Sequence, residues 1–216
     1  MAGYDQSFYE FRDTVGDDLD LRQTENAKAL LHWLNHWGCR HLATHCHDMA
    51  ATALVGWFQE LGDRLPPPDA RLVSIPEVSL DSAAQTFDKL SGLVVARRTS
   101  YPEDHFVSFG PTAAAKTLFA LRPHVFVPWD VAMRQEFGHD GSGRSYVDYL
   151  KEVRAKLRDI ERQCDALQIE LEALPARLGR ERSTATQLID EYNWITVTRH
   201  VLPPDRQRLL EWLTWS

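Results

Sequence analysis

The sequence predicts an all-α fold, a helical bundle that includes one long helix, and three observations support this prediction. Apolar residues recur at intervals of three and four through most of the 216-residue chain, as in amphipathic helices. The alternation typical of strands is scarce, with weak candidates only at 73–75 and 195–198. Glycine and proline residues separate the periodic segments. Since no internal repeat and no low-complexity tract occurs, we expect one helical domain over residues 1–216.

Three helices are predicted in the first half of the chain. The first follows Thr24 and ends at Gly38, because its apolar stripe stops there and glycine favours a helix end. The second covers residues 48–61, with an aspartate as its cap. A proline-containing connector at 63–78 leads to the third, which is expected over about 79–94.

The middle of the chain predicts two further helices, separated by a break at 122–128. Pro123 and Pro128 each disfavour helix at the residue before them, so the break is expected there. Residues 138–143 then form a loop.

The most regular pattern lies further on and predicts a long helix over about 144–174. Its apolar stripe steps alternately by three and four residues from Val147 to Leu174, and Pro175 stops it. Such a helix of roughly thirty residues would be about 45 Å long. The stripe fits the buried face of a bundle helix, and it also fits a homodimer through a coiled coil. Two shorter helices are expected near 184–200 and 205–214.

Charge and cysteine content limit the functional classes. The formal net charge of -7 argues mildly against a nucleic-acid partner, since phosphate contacts need Lys and Arg. The segment 97–134 differs, because it has five basic and three acidic residues and a net charge of +2.

The number of cysteines, three, is odd and does not suit a full set of disulfide bonds, which favours the reducing cytoplasm. No signal peptide or long apolar run occurs, so no membrane partner is expected.

One stretch carries a motif with chemical content, GPTAAAKTLFALRPHVFVPWD, from Gly110 to Asp130. A Gly-Pro turn before a helix leaves unpaired N–H groups at the helix start, where the helix dipole favours an anion such as phosphate. Lys116 lies on the same helix face as Thr112, four residues earlier. A lone carboxylate at Asp130 follows after an apolar run. Asp130 is also a good helix N-cap, and the two roles are compatible.

These residues resemble the core of the helix-hairpin-helix DNA glycosylases. The resemblance covers residues 106–137, where a turn at Gly110 stands about twenty residues before an acid at Asp130. In that family the hairpin holds a DNA phosphate and the acid is catalytic. Ser108 departs from the family's first hairpin glycine, and residues 131–132 depart from its Thr-His pair. No iron–sulfur cysteine signature follows, so no cofactor is expected.

The resemblance implies a DNA N-glycosylase that acts on double-stranded DNA with the target base extruded. Bifunctional members carry a lysine where this chain has Thr112, so a monofunctional enzyme that leaves an abasic site is expected. A specialised substrate is implied, such as the hypermodified bases of phage DNA in a defence system. The expected site residues are Asp130 as the catalytic acid; Gly110, Thr112, Lys116 and Arg134 at the DNA; and Trp129, His32 and His36 around the extruded base.

A second cluster raises a different possibility, since five histidines and two cysteines lie between His32 and His47. His32 and His36 have the four-residue spacing that can chelate zinc on one helix face. No Cys-x-x-Cys motif occurs, and no glutamate stands between the two histidines as a metalloprotease needs. We therefore expect no metal there and treat these side chains as solvated or lining a pocket. A zinc hydrolase and a non-catalytic nucleic-acid- or protein-binding module remain the alternatives to the glycosylase.

Overall fold

The computed structural model describes residues 2–16, 19–98 and 105–202. Helices dominate these residues, which agrees with the predicted class, and one small sheet is added to them. In chain order the elements are α1 (Ala2–Val15), α2 (Thr24–His36), α3 (His47–Leu61), α4 (Glu77–Ser91), β1 (Val94–Arg98), β2 (His105–Ser108), α5 (Pro111–Leu121), α6 (Val131–Glu136), α7 (Gly143–Ala166), α8 (Leu174–Arg177), α9 (Ala185–Asn193) and a π-helix, Trp194–Thr198.

The sheet is an antiparallel pair of β1 and β2, with Arg97 opposite Phe106. The sequence predicts a helix through Val94 instead, and this prediction is wrong. Helix α4 ends at Ser91, where the Gly92 N–H closes the last turn on the Asp88 carbonyl. The chain beyond Gly92 then extends and pairs with β2, whose end leads directly into the Gly110 turn.

Helix α5 lies inside the hydrophobic core, which extends as one cluster from Phe8 to Ile189. Its three alanines, residues 113–115, have no exposed surface, and the helix packs against α2 and α4. Small side chains let neighbouring helices approach closely. The two helices predicted around the break at 122–128 are present as α5 and α6. The buried helix therefore gives the Gly110 turn and Asp130 a rigid support.

Helices α4 and α7 approach so closely that the first residue of α7 must be glycine. A Cβ atom on Gly143 would lie 2.1 Å from the carbonyl oxygen of Ala84. The Gly143 N–H also donates to Asp88 Oδ1 across 2.6 Å. Ser142 caps the same helix by accepting from the Ser145 N–H. These contacts fix the start of α7 against the middle of α4.

The long helix is shorter than predicted. Helix α7 ends at Ala166 rather than near 174, since the chain turns at Gln168, whose φ is 57°. Pro175 does not stop a helix; it lies in the first turn of α8, where proline is well tolerated. The apolar stripe is buried in this chain from Val147 to Leu157, partly against α4, while Leu167 is 70% exposed.

The two weak strand candidates are wrong. Residues 73–75 form turns, and 195–198 belong to the π-helix that continues α9. The helix expected near 205–214 lies outside the described residues. Across the described ranges, no helix is both long enough and apolar enough to span a bilayer.

Candidate functional site

A cleft of about 600 Å³ opens between the α5–α6 region and α9. Trp37, Gly38, Cys39 and His41, after α2, line it together with the starts of α5 and α6. Helix α9 and the π-helix contribute a further wall through Gln187, Asp190, Glu191 and Trp194. The cleft is therefore assembled from segments that are far apart in the sequence.

Most of the residues that the sequence singled out meet in this cleft. Those lining it are Gly110, Thr112, Lys116, Trp129, Asp130 and Arg134. His32 and His36 are not among the lining residues. Both are exposed on α2, with ring centroids 4.6 Å apart and His36 Nδ1 3.0 Å from the His32 carbonyl oxygen. The structure thus places these two histidines apart from the acid.

Gly110 adopts a backbone conformation that favours glycine, with φ at 81°. Its N–H donates to the Ser91 carbonyl across 2.9 Å, so this group is already used within the protein. In the part of the chain that the structure describes, the N–H groups of Thr112 and Ala113 donate to no acceptor. They stand at the N-terminus of an eleven-residue helix, where an anion is stabilised.

Asp130 is the N-cap of α6 and lies half-buried at the cleft wall. Its Oδ1 accepts the Met133 N–H across 2.8 Å, and its Oδ2 accepts the Thr198 hydroxyl across 2.9 Å. A carboxylate has about four lone-pair sites, so capacity remains for a water molecule or a ligand. The acid is therefore held by two donors and still borders the open space.

Arg134 connects three parts of the site. Its Nη1 donates to the Thr112 hydroxyl across 2.9 Å, and its guanidinium lies 5.5 Å from the centre of the Trp129 ring. Burial lowers the pKa of Arg134, and the nearby Asp130 carboxylate opposes that shift. A guanidinium is not deprotonated in folded proteins, so the side chain stays charged at neutral pH.

Trp129 supports the site from inside the protein rather than offering an open ring face. It is only 1% exposed. Its ring stacks on Tyr149 at a centroid distance of 5.4 Å and meets Tyr146 at 5.0 Å. Two other tryptophans border the cleft: Trp37, which is 8% exposed, and the half-buried Trp194.

Lys116 projects from α5 toward the end of α2. Its ammonium donates to the Trp37 carbonyl and lies 5.2 Å from the centre of the Trp37 ring. It also lies close to Cys39, the pKa of which is raised by burial and partly lowered again by the Lys116 charge. Beside it, His41 Nε2 is 2.9 Å from the Phe109 carbonyl oxygen.

The wall that α9 contributes is acidic. Asp190 and Glu191 border the cleft from α9, and Glu191 forms a two-point ion pair with Arg180, one contact being 2.7 Å. Sequence reasoning missed this wall and Thr198, and it noted His41 only as a member of the histidine- and cysteine-rich cluster. No motif marks the wall or Thr198, and the only available signal for them is the helical pattern over 184–200.

The histidine- and cysteine-rich stretch does not form a shared site. His47 is buried and bonds to the Leu42 carbonyl, whereas His45 is exposed. All three cysteines are buried and free. Over the described ranges, no group of three His, Cys, Asp or Glu side chains comes together as a metal site requires.

Comparison of the chain with protein-family models, curated proteins and solved structures finds no match.

Proposed function

We propose that this protein is a monofunctional DNA N-glycosylase, which hydrolyses the bond between a base and its deoxyribose and leaves an abasic site. One observation carries the proposal. A half-buried carboxylate, Asp130, lines the same cleft as a helix N-terminus that has unpaired N–H groups and a neighbouring lysine. The two halves of the Gly110–Asp130 motif thus have room for one ligand between them.

The start of α5 would hold a phosphate of the DNA backbone. The N–H groups of Thr112 and Ala113 supply two donors, and the helix dipole adds to their attraction for an anion. Lys116 and Arg134 add positive charge to the lining of the cleft. The segment 97–134, which supplies both of them, has a net charge of +2 in an otherwise acidic protein, the sign that phosphate contacts need.

Asp130 would then act on the anomeric carbon of an extruded nucleotide. The bond from C1′ to the base nitrogen breaks, the electron pair leaves with the base, and positive charge develops on the sugar. The carboxylate stabilises that charge, orients a water molecule, and accepts a proton as the water oxygen bonds to C1′. The proton that Asp130 accepted from the water then passes to the departing base through solvent, which returns the carboxylate to its charged form and balances the hydrolysis.

The extruded base would rest against aromatic surface, as enzymes that act on a base outside the duplex require. Trp37 and Trp194 both border the cleft, while Trp129 also lines it but is almost fully buried. The cleft volume of about 600 Å³ is in the range of sites that bind drug-sized molecules. A base that carries a bulky substituent therefore fits the proposal, and the hypermodified bases of phage DNA are the class to test.

Excision assays on DNA with different bases test the proposed function. Duplexes that contain normal bases, common lesions or glucosylated hydroxymethylcytosine are incubated with the protein and then treated with alkali, which cleaves at abasic sites. We expect alkali-dependent cleavage that persists in EDTA. Cleavage that EDTA abolishes would support the zinc hydrolase instead. DNA binding with no cleavage of any duplex would support the non-catalytic module.

The non-catalytic module has one observation in its favour, since the capping of α6 explains Asp130 without chemistry. The variant Asp130→Asn separates the two roles, because asparagine caps a helix about as well as aspartate. We expect Asp130→Asn to keep the unfolding midpoint of the wild type and to lose excision by about 100-fold or more. Asp130→Ala is the control that loses both, with a stability cost of about 1 kcal/mol. Full excision by Asp130→Asn would contradict a catalytic Asp130.

A further inference from the structure

We propose that Thr198 is a positioning residue for Asp130, an inference that rests on the proposed glycosylase function and adds a residue to its machinery. The Thr198 hydroxyl donates to Asp130 Oδ2 across 2.9 Å. The two residues are 68 positions apart in the sequence, and the bond joins the π-helix to the start of α6.

The bond from Thr198 differs in kind from the other bond to this carboxylate. The Met133 N–H, which reaches Oδ1 across 2.8 Å, belongs to the helix that Asp130 caps. It would form in any capped helix. The Thr198 hydroxyl comes from a separate element and reaches the other oxygen. Together the two donors restrict rotation of the carboxyl group about its own bond.

The π-helix directs the Thr198 hydroxyl toward Asp130 rather than back along its own helix. In the same segment, the Thr196 hydroxyl donates back to the Tyr192 carbonyl across 2.8 Å, as threonines inside helices commonly do. The Thr198 hydroxyl donates across to α6 instead. A π-helix widens the turn, and such turns are frequent at functional sites. Here the widened turn ends at the residue that contacts the acid.

The same segment also borders the cleft. Trp194, the first residue of the π-helix, is a lining residue, and Thr198, the last, holds the acid. A nucleotide that contacts Trp194 would therefore contact the same π-helix whose last residue orients the Asp130 carboxylate. This arrangement links substrate contact to alignment of Asp130, and alignment errors of about 1 Å can cost about 100-fold in rate.

The test compares Thr198→Val, which removes the hydroxyl at nearly constant volume, with Thr198→Ser, which keeps it. Thr196→Val is the matched control, because it removes a hydroxyl bonded only within its own helical segment. Under single-turnover conditions we expect Thr198→Val to slow excision about tenfold or more while its affinity for DNA stays within about twofold of the wild type. Thr198→Ser and Thr196→Val should excise at close to the wild-type rate.

A role in stability alone would lower the unfolding midpoint of Thr198→Val and leave the rate of the folded protein unchanged, which would overturn the inference. If the wild type excises no base, the proposed function is refuted. A second measurement still tests the role of Thr198 in that case. NMR of the Asp130 side chain reports its rotamers in the free protein. We expect one rotamer in the wild type and in Thr198→Ser, and averaging in Thr198→Val. A single fixed rotamer in Thr198→Val would overturn the inference.

Discussion

The guanidinium of Arg134 donates to the hydroxyl of Thr112 across 2.9 Å, and this bond joins α6 to the first turn of α5. Both residues were expected to contact DNA, and in the free protein they contact each other. The Gly110 turn and the acid are thereby linked by a side chain as well as by the chain between them. Arg134 thus has a structural role, which can be separated from a role at the phosphate.

Replacing Arg134 with alanine should weaken both folding and DNA binding. The loss of the bond to Thr112 should lower the free energy of unfolding by about 1–2 kcal/mol, measured by urea denaturation. If Arg134 meets a phosphate, the plot of log affinity against log salt should lose about one unit of slope. Thr112→Val is the control, because it removes the same hydrogen bond and keeps the positive charge. Equal losses of DNA affinity in both variants would contradict a phosphate contact.

A methyl group at Gly143 should destabilise the protein strongly. The Cβ of alanine would lie 2.1 Å from the Ala84 carbonyl oxygen, and neither backbone can move without separating α4 from α7. We expect Gly143→Ala to lower the free energy of unfolding by about 3 kcal/mol. Gly56→Ala is the control, since its Cβ would meet nothing within 4 Å in the middle of α3. That variant should gain about 0.5–1 kcal/mol. Similar losses in both variants would contradict the close approach.

Borohydride should trap no covalent adduct between the protein and DNA that contains its substrate base. Lyase chemistry needs a free amine at the sugar, and on the proposed function Thr112 stands where the resemblance predicts the lysine of bifunctional glycosylases. The Lys116 ammonium is directed to the Trp37 carbonyl. Gel electrophoresis after borohydride treatment reports any adduct. An adduct that disappears in Lys116→Arg would show that Lys116 attacks the sugar and that the enzyme is bifunctional.

Stability should fall at alkaline pH because of two buried tyrosines. Burial raises the pKa of Tyr146 and Tyr149 well above the ordinary value of 10.0. The folded protein therefore keeps two protons that the unfolded chain releases as the pH rises past about 10. Below that pH both states are protonated and the contribution is constant. Above it, the free energy of unfolding should decrease by up to about 1.4 kcal/mol per pH unit for each group.

Urea denaturation over a series of pH values measures this slope. The matched variant is Tyr146→Phe, which removes one titrating group together with its hydrogen bond to the Val127 carbonyl. Its slope above pH 10 should be shallower by up to about 1.4 kcal/mol per pH unit. An unchanged slope in Tyr146→Phe would show that the phenol of Tyr146 ionises as readily in the folded protein as in the unfolded chain.

Local sequence patterns predicted helices well where the apolar stripe and the end signals agree. Helix α2 begins at the expected Thr24 and ends two residues before Gly38, and α3 begins one residue before the expected 48. The patterns failed where partners elsewhere decide the structure. Val94 fits the helical stripe of α4, yet it forms a strand because β2 pairs with it. The stripe of α7 continues past Leu167, but the turn at Gln168 ends the helix.

The candidate site was likewise predicted where its residues lie close together in the sequence and missed where they lie far apart. The motif from Gly110 to Arg134 is nearly contiguous, so its spacing could be read directly. Thr198 could not be found this way, because its contact with Asp130 spans 68 positions and depends on the packing of the π-helix against α6. Spacing placed His32 and His36 on one helix face, but it could not show that neither of them lines the cleft.

The order in which the cleft's walls occur along the chain has a consequence for biosynthesis. A ribosome makes Asp130 and the start of α5 well before it makes Trp194 and Thr198. A nascent polypeptide that already includes α5 therefore still lacks both the α9 wall and the second donor to the acid. On the proposed function, a nascent chain that does not yet include Trp194 and Thr198 would carry a carboxylate without its second donor and would excise bases more slowly than the folded protein.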